Sequence, residues 1–407
     1  MFANIGMPYI WLILIGLLAI LLLFGDTRSR HSILITPEKA AALSYAKWPV
    51  WKEIEPPDNR IRMLWIDQDY VPFVNAGSEI CSHQFNTHFM KKPYKYDIWK
   101  AVPGYPQRTY EGVRCFDLND KSLFYKVLNS SHILHSHSGA YRSNMLYLSR
   151  ITGKPFVGWV HTDRYVRGVQ GSWNDRRLGN RQWTVFNSVS LRESRAELKD
   201  HDRTEIFFPT VDFHDYAVDK KERKPMYVTL SNVNENKGGN ILIQLAKALP
   251  EIEFLGILGG YRKQITTDTL PNLRYKQHTS QIKDIYAQTW VQIMPSQEET
   301  WGRTAVEAMS SGIPIVVSPT PGLRECCQDA AIYCNRNDLA GWVQTLRQLK
   351  QDQSYYNQRS TVALARARAL DPLPDFQRME DWIEKRVFPS AEKGRSLSEL
   401  EKNLLFR

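Results

Sequence analysis

Cysteine is scarce and unpatterned in this chain, with five residues at positions 81, 115, 326, 327 and 334. An odd number without a repeated spacing reads neither as a disulfide frame nor as a zinc site. Free thiols fit a reducing compartment, and the adjacent Cys326 and Cys327 read as packing residues. No Gly-x-Gly-x-x-Gly motif occurs in Met63–Ser78 or Tyr227–Gly239, the two stretches that follow a domain-opening strand. That argues against a nicotinamide-dependent dehydrogenase. Internal repeats and low-complexity tracts are missing, which excludes solenoids and arrays. No nucleic-acid module is present and the basic residues are scattered, so no nucleic-acid partner is expected. Charge is also missing from residues 1–25, where the first ionised side chain is Asp26.

That uncharged start is informative. Crossing the hydrocarbon takes about 20 apolar residues, and Ile5–Gly25 supplies such a run. A cleaved signal peptide would carry a basic n-region, and this one has no Lys or Arg. The stretch 1–27 therefore reads as an uncleaved single-pass transmembrane anchor, with 28–60 as a linker. Arg28, Arg30 and Lys39 on its C-terminal side place the catalytic domain in the cytosol by the positive-inside rule. The 407 residues suffice for two domains of ordinary size, and 43% hydrophobic content implies real cores. Fifty-three Lys and Arg against 43 Asp and Glu leave a net charge of +10, which suits an anionic partner.

Beyond the linker the pattern is strand–helix–strand. Apolar strands are expected at Arg62–Ile66, Ser131–His135, Pro155–Val160 and Trp183–Phe186. A second series follows at Met226–Leu230, Ile252–Leu258, Leu273–Lys276, Val291–Met294 and Ile313–Ser318. Helical spacing between them predicts parallel sheets covered on both faces. The charged stretch Asp212–Pro225 separates the two series. The domains are thus placed at 61–212 and 213–372, with a C-terminal helix and tail over 373–407.

The most telling stretch is Glu299-Thr-Trp-Gly-Arg-Thr-Ala-Val-Glu307. Its two carboxylates lie a little over two helical turns apart, at about 3.6 residues per turn. Gly302 between them permits close backbone approach, and a helix start attracts an anion. With Pro295-Ser296, Gly312-Ile-Pro314 and Pro321-Gly-Leu-Arg-Glu325 in register, the stretch resembles the E-x7-E signature of the retaining glycosyltransferases of family 4, also called group 1. The resemblance runs from Met63 to about Leu346 and is looser in the first half. It implies an α/β fold of two Rossmann-like domains facing a cleft, the GT-B arrangement.

The resemblance also implies roles. Glu299 would face the donor hexose, and Glu307 would accept hydrogen bonds from the ribose hydroxyls. The backbone of Thr300–Arg303, Gly302 included, would hold the diphosphate. Lys237-Gly238 matches the family's Lys-Gly, with Lys237 neutralising the phosphates. His161, after its strand, would bind the donor sugar or stabilise charge near the anomeric carbon. Gly77, in Ala76-Gly77-Ser78-Glu79, would let backbone meet phosphate or acceptor. The family's Arg five residues before the Lys is Asn232 here, and Arg303 is the expected substitute for that charge. No cofactor beyond a UDP- or GDP-linked sugar is implied, no divalent metal is required, and the acceptor is a glycan or lipid-linked. His135 and His137 would share a strand face as a metal pair might, but a third ligand is not evident. Two alternatives stay open: a degenerate scaffold subunit, favoured by Asn232, and a nucleotide-sugar epimerase.

Overall fold

The computed structural model describes residues 48–51, 59–74, 76–137, 139–162, 181–194, 202–259, 262–279 and 281–391. The expected membrane anchor, most of the linker, the arginine-rich stretch beyond Thr162 and the tail lie outside those residues. Among the described residues no helix is long and apolar enough to cross a membrane. The chain divides into two units, one of residues 1–185, 201–205 and 376–407, the other of residues 186–200 and 206–375.

The first unit is built on eight strands: β1 (Ile61–Ile66), β2 (Tyr96–Val102), β3 (Arg108–Tyr110), β4 (Val113–Asp117), β5 (Ile133–Ser136), β6 (Phe156–Val160), β7 (Gln182–Phe186) and β8 (Thr204–Ile206). Their order is β3-β4-β2-β1-β5-β6-β7-β8. β1 is parallel to both β2 and β5, and the short edge strand β3 runs antiparallel to β4. The apolar face of β1, Leu64 and Ile66, packs with Trp99, Phe116 and Leu134 against Phe124, Val127, Met145 and Leu148. These last four come from the helices Lys121–Ser130 and Arg142–Thr152. Helix Gly77–Met90 and the C-terminal helix Leu373–Trp382 meet within this unit, where Glu380 accepts from His88 at 2.7 Å and from Lys92 at 2.6 Å.

Three of these strands and one helix, between residues 91 and 130, have no counterpart in the sequence reading. The reason is visible in β2, Tyr-Asp-Ile-Trp-Lys-Ala-Val, which is buried along its whole length. Asp97 and Lys100 interrupt the apolar run, and each is neutralised from outside the strand. Asp97 takes Arg62 at 2.6 Å and Arg114 at 3.0 Å, and Lys100 pairs with Asp67. A periodicity search sees the charges and not their partners.

The second unit carries six strands: β9 (Tyr227–Ser231), β10 (Glu253–Ile257), β11 (Leu273–Lys276), β12 (Thr289–Met294), β13 (Ile315–Val317) and β14 (Ala331–Tyr333). All pairings are parallel, in the order β11-β10-β9-β12-β13-β14. Burial on both faces explains the unbroken apolar runs. In β13, Ile315 and Val317 join one core with Ala305, Met309, Leu323, Cys326 and Cys327. Val316 joins the opposite one with Leu230, Leu242 and Trp342. The two adjacent cysteines are therefore packing residues.

Strand order decides where a ligand can sit. In each sheet the order reverses beside the first strand, at β9/β12 in the second unit and at β1/β5 in the first. Loops diverge at such a switch point and leave a crevice outside the carboxyl ends of the strands.

Candidate functional site

In the second unit the switch point gathers Lys237, Gly238, Glu299 and Gly302, among the residues that the sequence singled out. After β9, the turn 232–238 is drawn tight by Asn234. Its Oδ1 accepts from Lys237 N at 3.0 Å, and its carbonyl accepts from Gly238 N at 3.1 Å and Gly239 N at 3.0 Å. Gly238 has φ +94°, and a Cβ there would lie 2.5 Å from Pro295 Cγ. Its glycine is thus required by packing as well as by conformation. The turn delivers the Lys237 ammonium to Glu299 Oε1, which also accepts from Ser296 Oγ at 3.1 Å. Glu299 Oε2 carries no hydrogen bond among the described residues. A paired cation and a half-used carboxylate thus sit together at the carboxyl ends of β9 and β12.

Helix Arg303–Ser310 begins here, with Gly302 as its N-cap at φ +121°. Gly302 brings no side-chain cap, and a helix start is a favourable place for an anion. A Cβ at 302 would come within 2.7 Å of Leu323 Cδ2. Gly302→Ala should therefore cost about 1–3 kcal/mol from left-handed backbone strain, read as a Tm lower by several degrees in thermal denaturation. Gly322 supports the same loop, because its Cα packs where a Cβ would fall 2.3 Å from the Thr300 carbonyl carbon. Thr300 Oγ1 accepts from Asn187 Nδ2 at 3.0 Å. Glu325 accepts from the N–H groups of Val189 and Ser190, each at 2.8 Å, and so caps the helix Val189–Glu193.

Arg303 and Glu307 do something the sequence did not reveal. The Arg303 guanidinium donates to the Thr210 carbonyl and, at 2.6 Å, to the Tyr216 hydroxyl. Its Nε lies 2.8 Å from Glu307 Oε1, while Tyr286 donates to Glu307 Oε2 at 2.9 Å. Arg303, expected as a replacement phosphate cation, has its nitrogens facing Thr210, Tyr216 and Glu307, and its side chain is 9% exposed. Burial raises the Glu307 carboxyl above its ordinary value, opposed first by Arg303 and then by the Tyr286 hydrogen bond. Tyr216 and Tyr286 carry no local signal of this role, since they approach Glu307 and Arg303 from distant segments.

Asn232 is equally committed. It sits at φ +63°, and its Oδ1 accepts from Asn234 at 2.9 Å and Gln264 at 3.0 Å. A Cβ on Gly259 would strike its side chain at 2.4 Å. Asn232 therefore ties the turn after β9 to the segment after β10.

In the first unit the corresponding switch point holds Asp67, after β1, and His137, after β5. Asp67 Oδ1 accepts from His137 N at 2.6 Å and from Ser136 Oγ at 3.3 Å, and Oδ2 binds Lys100. His161, after β6, lies with its Nε2 3.0 Å from His137 Nδ1. Burial pushes His161 down to about 4, with the Asp67 charge opposing. His135 stacks on Trp65 at 4.2 Å between centroids and His137 on Trp159 at 4.0 Å. Among the described residues no three His, Cys, Asp or Glu side chains gather as metal ligands would.

Gly77 is the exposed first residue of helix Gly77–Met90, capped by no side chain. Two residues on, burial raises Glu79 to about 7, opposed by its own backbone N–H and Ser78 and reinforced by Asp67 and Asp69. Between the ordinary value of 4.5 and 7 the unfolded chain has lost this proton and the folded chain keeps it. Stability must then fall as pH rises through that window. Glu79→Gln should remove this dependence and gain about 1–3 kcal/mol at pH 8, after discounting for partial exposure. Urea unfolding at pH 4.5 and pH 8 checks it.

Residues 212–365 match the family described as glycosyl transferases group 1. The O-antigen chain mannosyltransferase RfbU of Salmonella typhimurium is 29% identical over 72 residues, 18% of this chain and 20% of that protein. The sulfoquinovosyl transferase SQD2 of Arabidopsis thaliana is 27% identical over 146 residues, 32% of this chain and 27% of that one. The chain thus spans only about a fifth to a quarter of the length of these curated relatives. Among solved structures, Alr3699/HepE of Anabaena in complex with UDP and glucose is similar with a TM-score of 0.64 and 13% identity, over 80% of this chain and 100% of that one. The family match covers residues 212–365, less than half of the chain, and the likeness to Alr3699/HepE shows the two-domain Rossmann-like GT-B fold.

Proposed function

We propose that the protein is a retaining glycosyltransferase that moves a hexose from a UDP- or GDP-linked donor to a glycan or lipid-linked acceptor. The observation that carries this reading is the Lys237–Glu299 pair beside the helix start at Gly302, at the β9/β12 switch point. A nucleotide-sugar has a diphosphate between two polyols. Lys237, Gly238 and the Thr300–Arg303 backbone would take the diphosphate. Glu299, through Oε2, would take a hexose hydroxyl. Glu307, held rigid by Arg303 and Tyr286, would take the ribose diol. Gly77 and His161, in the first unit, would contact the acceptor or the transferred sugar.

Catalysis would then consist mainly of stabilising the departing nucleoside diphosphate. Preorganised donors aimed at developing charge contribute about 3–4 kcal/mol each. The acceptor hydroxyl would attack from the face that the diphosphate leaves, its proton passing to a leaving phosphate oxygen. No divalent metal is needed in this scheme. The uncharged stretch 1–25 supports a single-pass anchor over 1–27, with the catalytic domain on the cytosolic side.

The test is nucleoside diphosphate release by the detergent-solubilised full chain against a panel of UDP- and GDP-sugars. Slow hydrolysis of one donor, unaffected by EDTA, is expected. Neither turnover nor a thermal shift with any donor would overturn the reading in favour of a binding-only subunit. Conversion of the nucleotide-sugar without release of the diphosphate would indicate an epimerase.

A further inference from the structure

Beside the Lys237–Glu299 pair the second unit has an open hollow of about 860 Å³, at the carboxyl ends of β12, β13 and β14. Ser296, Gln297, Thr320, Asn335, Arg336 and Asn337 stand on its wall. Ser296 joins it to the site already described, because its Oγ donates to Glu299 Oε1 at 3.1 Å. In the strand order β9-β12-β13-β14 the hollow extends away from β9, the strand that leads to Lys237.

Arg336 reaches this hollow from the loop after β14. Its Nε donates to the Pro295 carbonyl at 3.0 Å and its Nη2 to the Glu235 carbonyl at 2.8 Å. Those carbonyls belong to the loop after β12 and to the turn that carries Lys237. The guanidinium is thus fixed in place without being neutralised, since no carboxylate pairs with it among the described residues. Two of its five N–H groups are used and three are left. Asp338, also on the wall, accepts from Gly341 N at 3.0 Å and caps the helix Leu339–Gln351. The side-chain amides of Gln297, Asn335 and Asn337 are exposed and make no hydrogen bond among the described residues.

A braced cation with N–H groups to spare, flanked by unused amides, suits a carboxylate better than a hydroxyl. The planar guanidinium can meet both carboxylate oxygens at once, and such charged hydrogen bonds are the strong ones. We propose that Arg336 is a specificity-determining residue and that this hollow takes a carboxylate carried by the transferred sugar. The preferred donor is then a nucleotide-linked hexuronate. This inference rests on the function proposed above, in which Glu299 faces the donor hexose. The diphosphate belongs on the other side of Glu299, with Lys237 at the β9/β12 switch point, while a carboxylate on the sugar extends past Ser296 toward Arg336.

The experiment measures kcat/KM for nucleoside diphosphate release by the detergent-solubilised full chain with matched donors. The pairs are UDP-glucuronate and UDP-glucose, UDP-galacturonate and UDP-galactose, and GDP-mannuronate and GDP-mannose. The uronate of one pair should be preferred by about 10- to 100-fold, as expected of a hydrogen bond to a charged group. Arg336→Met should abolish that preference by lowering the uronate figure, and Arg336→Lys, which keeps the charge, should retain part of it. The Kd for UDP, which lacks the sugar, is measured on the same proteins and should not weaken in step. A wild type that uses neutral hexoses as well as uronates, or better, overturns the proposal and leaves the transferase reading standing. An equal loss of UDP affinity in Arg336→Met also overturns it, by making Arg336 a diphosphate ligand. If Arg336→Met fails to fold, the wild-type preference and Arg336→Lys decide. Release from no donor at all sinks the transferase reading, and this inference with it.

Discussion

Lys237→Ala should slow nucleoside diphosphate release by about 10²–10³-fold. The size of the effect follows from what surrounds the side chain. Asn232 brings no charge and is held by Asn234 and Gln264. Arg303 is engaged with Thr210, Tyr216 and Glu307. Lys237 is then the cation best placed at the switch point to meet a departing diphosphate. Its partner Glu299 complicates the reading in a useful way. In the free protein the two neutralise each other, so Lys237→Ala also leaves a carboxylate where an anion must bind. Glu299→Gln, which keeps the shape and frees Lys237, should tighten binding of the free nucleoside diphosphate while still lowering turnover of the sugar donor. Opposite signs in those two measurements would separate a hexose-facing Glu299 from a purely structural one. A loss below tenfold for Lys237→Ala would mean that the helix start at Gly302 carries the phosphate charge on its own.

Lys100→Met should destabilise the first unit by about 3–5 kcal/mol, a fall in Tm of roughly 10 °C or more for a domain of this size. Lys100 is fully buried on β2. It contacts Asp67 and Ser82, and lies 4.4 Å from the centroid of Tyr70 and 5.3 Å from that of Trp65. Methionine fills the same space but leaves the Asp67 carboxylate buried without its counter-charge. Adding Asp67→Asn should recover part of the loss, because a neutral amide oxygen can still accept from the His137 N–H. Thermal unfolding of the three variants measures both steps. Equal stability of single and double variants would show that the His137 and serine hydrogen bonds, not the ion pair, hold the end of β1.

Several parts of the protein were legible because the signal is local. A run of apolar residues ending in a turn gave β1, β5, β6, β9 and β12 to within a residue or two. Glu299, Gly302 and Glu307 are one continuous stretch, and Lys237-Gly238 is a dipeptide after a strand. In each case the residues that define the feature are neighbours in sequence. The strands β2, β3 and β4 were not legible. In β2 the buried charges of Asp97 and Lys100 are balanced by Arg62, Arg114 and Asp67, which only the folded sheet brings alongside. Arg303 shows the same limit: its sequence neighbours suggest a phosphate ligand, while its spatial neighbours include Thr210, Tyr216 and Glu307.

By itself the sequence determined the alternation of strands and helices, the presence of two sheets, and the residue types available for a diphosphate and two polyols. Each of these depends on spacing along the chain, which hydrophobic burial and backbone periodicity translate directly into elements. The tertiary structure alone decided the strand order and, through it, the two switch points where Lys237 meets Glu299 and Asp67 meets His137. It also decided which charges are already paired, and so which remain for a ligand. Pairing depends on distances of about 3 Å between side chains from separate elements, and nothing along a one-dimensional chain encodes those distances until the sheets are assembled.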